Sequence, residues 1–105
     1  MDENGEGAKL LLSYNMNTDD MQAYYHFVLG KYIPALQELG LEMSEAWHTA
    51  YGDYPNRLIG FVAKDKKIMD QVLQSDTWHE LNDQLLEHVS EFSYKVVRYE
   101  LGFQI

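Results

Sequence analysis

Cysteine is absent from the chain, and with it go disulfide bridges, thiolate metal ligands and thiol nucleophiles. Basic residues are scarce: eight Lys and Arg stand against seventeen Asp and Glu, for a formal net charge of -9. A chain this acidic, with its few cations scattered, repels phosphate backbones and anionic lipid surfaces, so neither nucleic acid nor membrane is expected as a partner. No apolar run approaches the roughly 20 residues needed to cross a bilayer. Low-complexity tracts and residue-level repeats are missing, as are a glycine-rich phosphate loop, a Gly-x-Ser-x-Gly elbow and a paired-carboxylate motif. The opening residues, Met1 to Gly7, lack the basic and apolar regions of an export signal. A cytoplasmic protein is the simplest expectation.

What the chain does have is ordinary globular composition, 46% hydrophobic and 24% charged over 105 residues. Eight Tyr, four Phe and two Trp make an aromatic core necessary. This length suits one domain with one modest core. Residues 1–8 read as a disordered lead-in and residues 9–105 as the single domain.

Lys9–Met16 is short, apolar and bounded by polar residues, which suits a buried strand. Asn17-Thr18-Asp19-Asp20 is a helix start, since its side-chain oxygens can cap free N–H groups and its acids favour the positive end of the dipole. From Met21 the apolar positions Tyr25, Val28, Tyr32, Leu36 and Leu39 step by three or four, and Gly40 supplies the C-cap. Pro34 deletes one bond inside this helix, which predicts a kink. Leu41–Gly52 and Arg57–Ala63 are strand-like and flank the turn-forming run Gly52 to Asn56, predicting a hairpin. A helical region follows from Ile68 to about Gln74. Ser75-Asp76 then caps another whose apolar face is Trp78, Leu81, Leu85 and Val89. Glu91–Leu101 closes the order as a strand whose apolar parity switches at Val96-Val97, which predicts a bulge or burial on both faces. The fold class is therefore α+β. The order β-α-β-β-α-β predicts a ferredoxin-like, four-stranded antiparallel sheet with its helices on one face.

Those helices cover one face only, so central strands facing water on the other should alternate apolar and polar. Leu10-Leu11-Leu12, Leu58-Ile59-Gly60-Phe61-Val62 and Val96-Val97 do not. Leaving such side chains wet forgoes about 1.5–3 kcal/mol each, and a second copy of the same sheet is the economical cover. A homodimer is expected. The alternative cover, the tail Gly102 to Ile105, is short for a whole sheet.

The element order, the length and the two-faced strands resemble the dimeric α/β-barrel superfamily, with its NIPSNAP-like, antibiotic-biosynthesis-monooxygenase and stress-responsive families. The echoes are Tyr32-Ile33-Pro34-Ala35-Leu36 with Leu39-Gly40-Leu41 closing the first helix, and Ser75-Asp76-Thr77-Trp78 with Leu81 opening the last. The pattern runs from Lys9 to about Glu100, and the NIPSNAP-like group matches it best. The resemblance implies an architecture, pairing into a dimeric barrel, and ligand space between sheet and helices; the biochemical role of that group is itself undefined. Its haem-degrading branch uses an Asn on the first strand, a Trp in the last helical region and a His further along. Here Asn15 is one step out of register, Val72 and Asn82 take the Trp and His places, and Trp78 and His88 fall at other helical phases. Haem oxygenation is not expected, nor is any other cofactor.

Among the histidines, His26 lies off the apolar stripe, and His79 and His88 lie on opposite sides of one helix, so they cannot share a metal. No metal site is expected. His48 differs: on a strand, flanked in parity by Ala46 and Ala50, it is the candidate acid/base group. The plainer reading is a hydrogen-bonded structural histidine. Tyr14, Tyr25, Trp47 and Trp78 are the candidate ligand-binding aromatics; the plainer reading of each is core. Trp47 and His48 point to opposite faces. The leading expectation is a homodimeric barrel that binds a small hydrophobic or aromatic molecule between helices and sheet. Two alternatives stand beside it: a cofactor-independent monooxygenase or isomerase acting on an aromatic substrate, and a non-catalytic interaction protein.

Overall fold

The computed structural model describes residues 6–17, 19–48 and 56–100. Strand β1 (Glu6–Met16) leads into helix α1 (Met21–Phe27), a π-helical stretch (Val28–Tyr32) and α2 (Ile33–Glu38). Strands β2 (Leu41–His48) and β3 (Arg57–Ala63) follow, then helices α3 (Lys66–Leu73) and α4 (Asp76–Leu85), then β4 (Val89–Glu100). The sheet order is β2-β3-β1-β4, with each neighbouring pair antiparallel. Each β-α-β crossover leaves the width of one strand open, and a strand of the other crossover fills it. This is the expected ferredoxin-like α+β fold.

Some boundaries move. β1 begins at Glu6, so the division drawn after residue 8 falls inside a strand. β2 is described over Leu41–His48; the rest of the expected strand and the turn, Thr49 to Pro55, lie outside the described residues. Val89 opens β4 instead of extending α4.

The helix starts follow local chemistry. Asp20 accepts from the Ala23 N–H at 3.1 Å, Asp65 from Ile68 at 2.9 Å and Ser75 from Trp78 at 3.2 Å. The Pro34 disturbance takes the form of a wide turn: the Ile33 N–H reaches back five residues to the Val28 carbonyl. One extra residue in that turn accommodates the missing donor at position 34 without breaking the rod.

In β1, Ala8, Leu10, Leu12, Tyr14 and Met16 are buried beneath the helices, and in β3 so are Ile59, Phe61 and Ala63. They meet Val28, Tyr32, Leu36, Met69, Val72, Trp78, Leu81 and Leu85. The first helical rod presents Tyr24, not Tyr25, to this core. Met21 and Tyr25, read from spacing as part of the apolar stripe, are exposed. The stripe actually runs Tyr24, Val28, Tyr32, Leu36, and the π turn is what keeps these on one side despite the added residue.

Two bulges set the faces of the edge strands. In β4, two residues lie opposite Tyr14, and Glu91 there adopts φ 54°. The irregularity expected at Val96-Val97 thus occurs nearer the start of the strand. In β2, Ser44 is the extra residue: Met43 pairs with Phe61, and Glu45 already pairs with Gly60. Cross-strand partners share a face. Leu41 and Met43 therefore stand on the helix side, and beyond the bulge Glu45 and Trp47 stand on the other.

Gly40 has φ 111°, and a Cβ there would sit 3.0 Å from Ile68 Cγ2. Gly40→Ala should therefore cost at least ~1 kcal/mol from backbone strain and crowding. Ser75→Ala should cost about 1 kcal/mol through the lost cap. Urea denaturation of each variant checks both values.

Candidate functional site

The space between helices and sheet is filled by aromatic rings whose polar tips are used on one another. Tyr14 projects from β1 and Tyr24 from α1, and their hydroxyls share a hydrogen bond of 2.6 Å. Their rings meet edge to face, with centroids 6.1 Å apart. The Tyr32 hydroxyl donates to Asn82 Oδ1 on α4 at 2.8 Å. Phe92 stacks on Tyr14, and Tyr94 stands edge-on to Trp78 at 5.3 Å. Burial pushes the Tyr14 hydroxyl well up, and the neighbouring Tyr24 adds to this. Burial also raises Tyr32, again with a contribution from Tyr24. Tyr24 is raised by burial too, while its bond with Tyr14 and the Arg57 cation draw it partly back. These phenols stay protonated at neutral pH. They can hold a hydrogen bond but are not placed to act as bases.

The rim of this core, where β1 ends and β3 begins, is polar and clamped. Asn15 Oδ1 accepts from the Asn56 N–H at 2.9 Å, and Asn56 Oδ1 accepts from the Met16 N–H at 3.0 Å. Arg57 follows at once. Its Nη2 donates to the Tyr25 hydroxyl at 2.5 Å and lies 3.1 Å from Met16 Sδ. Its guanidinium carbon stands 5.6 Å from the centre of the Tyr25 ring.

The far face of the sheet carries a third group. Lys9 and Glu45 form an ion pair of 2.6 Å. Glu45 also accepts from the Trp47 indole N–H at 3.3 Å. The pair lies across Gly60, where a Cβ would come within 3.0 Å of Glu45 Cγ and Ser44 Oγ. The hydrogen bond from Lys9 holds the Glu45 carboxyl below the usual carboxylate range, against a smaller opposing push from desolvation. Around it Leu11, Leu58, Val62 and Val97 are half-buried, and Trp47 is 61% exposed.

The sequence-derived candidates are therefore dispersed. Tyr14 and Trp78 lie inside the core, at 1% exposure each. Tyr25 is on the outer surface of α1 and Trp47 on the opposite face of the sheet. His48 is exposed at the end of β2, beside Arg57 in the strand register. His26 and His79 are exposed, and His88 stacks on Phe27 at 5.6 Å. Among the described residues no group of three His, Asp or Glu is arranged to hold a metal ion. No helix there is long and apolar enough to cross a membrane. Residue spacing does not mark Tyr24, Asn82 or Arg57. Tyr24 was hidden by its tyrosine neighbour, where a shift of one position decides which ring turns inward. Arg57 stands in the sequence at the head of an apolar strand, where nothing local marks its charge.

No family model and no curated protein matches the chain. Solved structures do. An uncharacterised NIPSNAP domain protein from Burkholderia xenovorans superposes with a TM-score of 0.64 at 6% identity, over 93% of this chain and 98% of that one. An antibiotic-biosynthesis-monooxygenase-like protein from Nitrosomonas europaea gives 0.63 at 15% identity, over 98% and 96%. A NIPSNAP family protein of unknown function from Agrobacterium tumefaciens gives 0.63 at 9% identity, over 95% and 94%. At these identities the likeness is one of fold: the chain shares the ferredoxin-like architecture of NIPSNAP and monooxygenase-like proteins.

Two measurements probe this geometry. Tyr14→Phe and Tyr24→Phe should each cost about 1–3 kcal/mol, since each strands a buried hydroxyl. The double variant should cost less than their sum, as a double-mutant cycle by denaturation would show. The Glu45 carboxyl is lower in the folded state than in the unfolded chain. Its contribution is therefore complete above the ordinary glutamate range and is lost as pH falls through the lowered value. Glu45→Gln should flatten stability against pH on that acid side, by no more than ~1 kcal/mol for a pair so near the surface.

Proposed function

We propose that this chain works as one half of a homodimeric α/β barrel, and that assembly and binding, not turnover, are its role. The observation that carries the reading is the sheet face opposite the helices. Leu11, Leu58, Val62 and Val97 are only half-buried there, and the Trp47 ring lies on the same side. A face of this kind on an antiparallel sheet needs a cover. A second copy supplies an identical, self-complementary one by a two-fold contact. The Lys9–Glu45 pair would lie within such a contact, with its charges already balanced inside each protomer.

The interior supports a non-catalytic role. Tyr14, Tyr24, Tyr32 and Trp78 fill the region between helices and sheet at 1% exposure each. The tyrosine hydroxyls there bond to one another or to Asn82. A substrate in that region would have to displace packed rings and strand buried hydroxyls, at about 1–3 kcal/mol per hydroxyl.

Light scattering on a sizing column should give twice the 12.3 kDa chain mass at micromolar concentration; the single-chain mass would overturn the reading. Leu58→Lys and Val62→Lys, on the open face, should give folded monomers by circular dichroism and scattering. Ile59→Lys and Phe61→Lys bury the charge in the helix-side core and should unfold the chain instead.

A further inference from the structure

Arg57 is out of keeping with the rest of the chain. Seventeen acids and eight bases leave carboxylates in excess, yet this half-buried guanidinium has no carboxylate partner among the described residues. The ion pairs there are Lys9–Glu45 and Lys66–Asp70. Its Nη2 is occupied by a neutral phenol and a thioether. Its Nε–H is buried and meets no acceptor. A guanidinium presents Nε–H and one terminal N–H side by side on one edge, a fork matched to the two oxygens of a carboxylate. Here that edge is half-used, by an acceptor weaker than an ion.

Beside it runs a shallow groove of about 430 Å³ along the outer side of the first helical rod, lined by Gln22, Tyr25, His26, Leu29 and Gly30. These positions recur at the spacing of one helix face. Leu29 is 63% exposed, and a Cβ at Gly30 would meet nothing within 4 Å. The volume falls within the range of small-molecule sites. Tyr25 belongs to both features: its ring lines the groove and its hydroxyl sits on Arg57.

We propose that this corner binds a small aromatic carboxylate, with its ring over Tyr25 and Leu29 and its carboxylate on the Nε and Nη2 edge of Arg57. The Tyr25 hydroxyl holds the guanidinium in place until the anion displaces it. The charge of Arg57 selects an anion, its two-donor edge selects a planar carboxylate, and the groove selects an apolar body. The site is on the helix side of the molecule, so it stands independently of any contact made by the open sheet face.

The test is a titration with 1-naphthylacetate, followed by NMR of the Arg57 Nε–H and Leu29 methyl signals. The isosteric amide, 1-naphthylacetamide, and inorganic phosphate serve as comparators. The expected result is saturable shifts at both signals, with the acid about tenfold tighter than the amide. Arg57→Gln should abolish that preference. If that variant fails to fold, Tyr25→Phe decides, because it keeps the ring and removes only the competing hydroxyl: the acid should bind it as tightly or more tightly. Equal affinity for acid and amide, an equal response to phosphate, no saturable shift, or weakened binding to Tyr25→Phe would each overturn the proposal.

Discussion

A four-stranded sheet has two faces, and the helices of this chain cover one. Most other features follow from that inequality. The covered face holds the large rings, because two crossovers bring α1, α2, α3 and α4 to the same side. Polar atoms carried in with those rings must be satisfied there. The Tyr14–Tyr24 and Tyr32–Asn82 hydrogen bonds do this, tying β1 to α1 and the π turn to α4. The uncovered face has no such company. Two of its charges, Lys9 and Glu45, are matched across the intervening strand β3, and its apolar side chains remain partly in water.

The aromatic interior resembles a ligand pocket in composition but not in geometry. Pockets combine apolar walls with convergent polar groups that are free to engage a guest. Here the convergent groups engage one another, and burial keeps the phenols protonated. Among the described residues, the buried side-chain polar atom without a partner is Arg57 Nε. It lies at the rim, where Asn15 and Asn56 clamp the strand ends and Arg57 reaches the outer surface of α1.

Element order, helix starts and fold class were legible in the sequence because each rests on local chemistry. Asp20 and Ser75 cap the helices they precede, and Gly40 takes the positive φ that its place demands. β1 could also be read as a buried strand from its apolar run between polar flanks. Three things could not. Periodicity locates the stripe of the first helix but not its phase, and so points to Tyr25 where Tyr24 is buried. A π turn adds one residue without a sequence mark beyond Pro34, four positions past Gly30. Bulges change parity through strand pairing, which depends on residues far along the chain; in β4 the apolar pattern points to an irregularity at Val96-Val97, whereas the bulge lies opposite Tyr14. The candidate site suffered most, because Trp47, His48, Tyr25 and Tyr14 are close in type and pattern but lie on different surfaces.

The bulge at Ser44 has a genetic consequence. It takes up one residue between Met43 and Glu45 without advancing the pairing. Loss of the single codon for Ser44 would leave the reading frame intact and a regular strand in which Met43 still meets Phe61 and Glu45 still meets Gly60. Every side chain beyond would keep its side of the sheet. Loss of the codon for Ala46 would instead draw Trp47 into its place opposite Ile59, on the helix side. The cost of a one-codon loss in β2 therefore depends on where it falls, and Ser44 is the position at which a change of length is mildest.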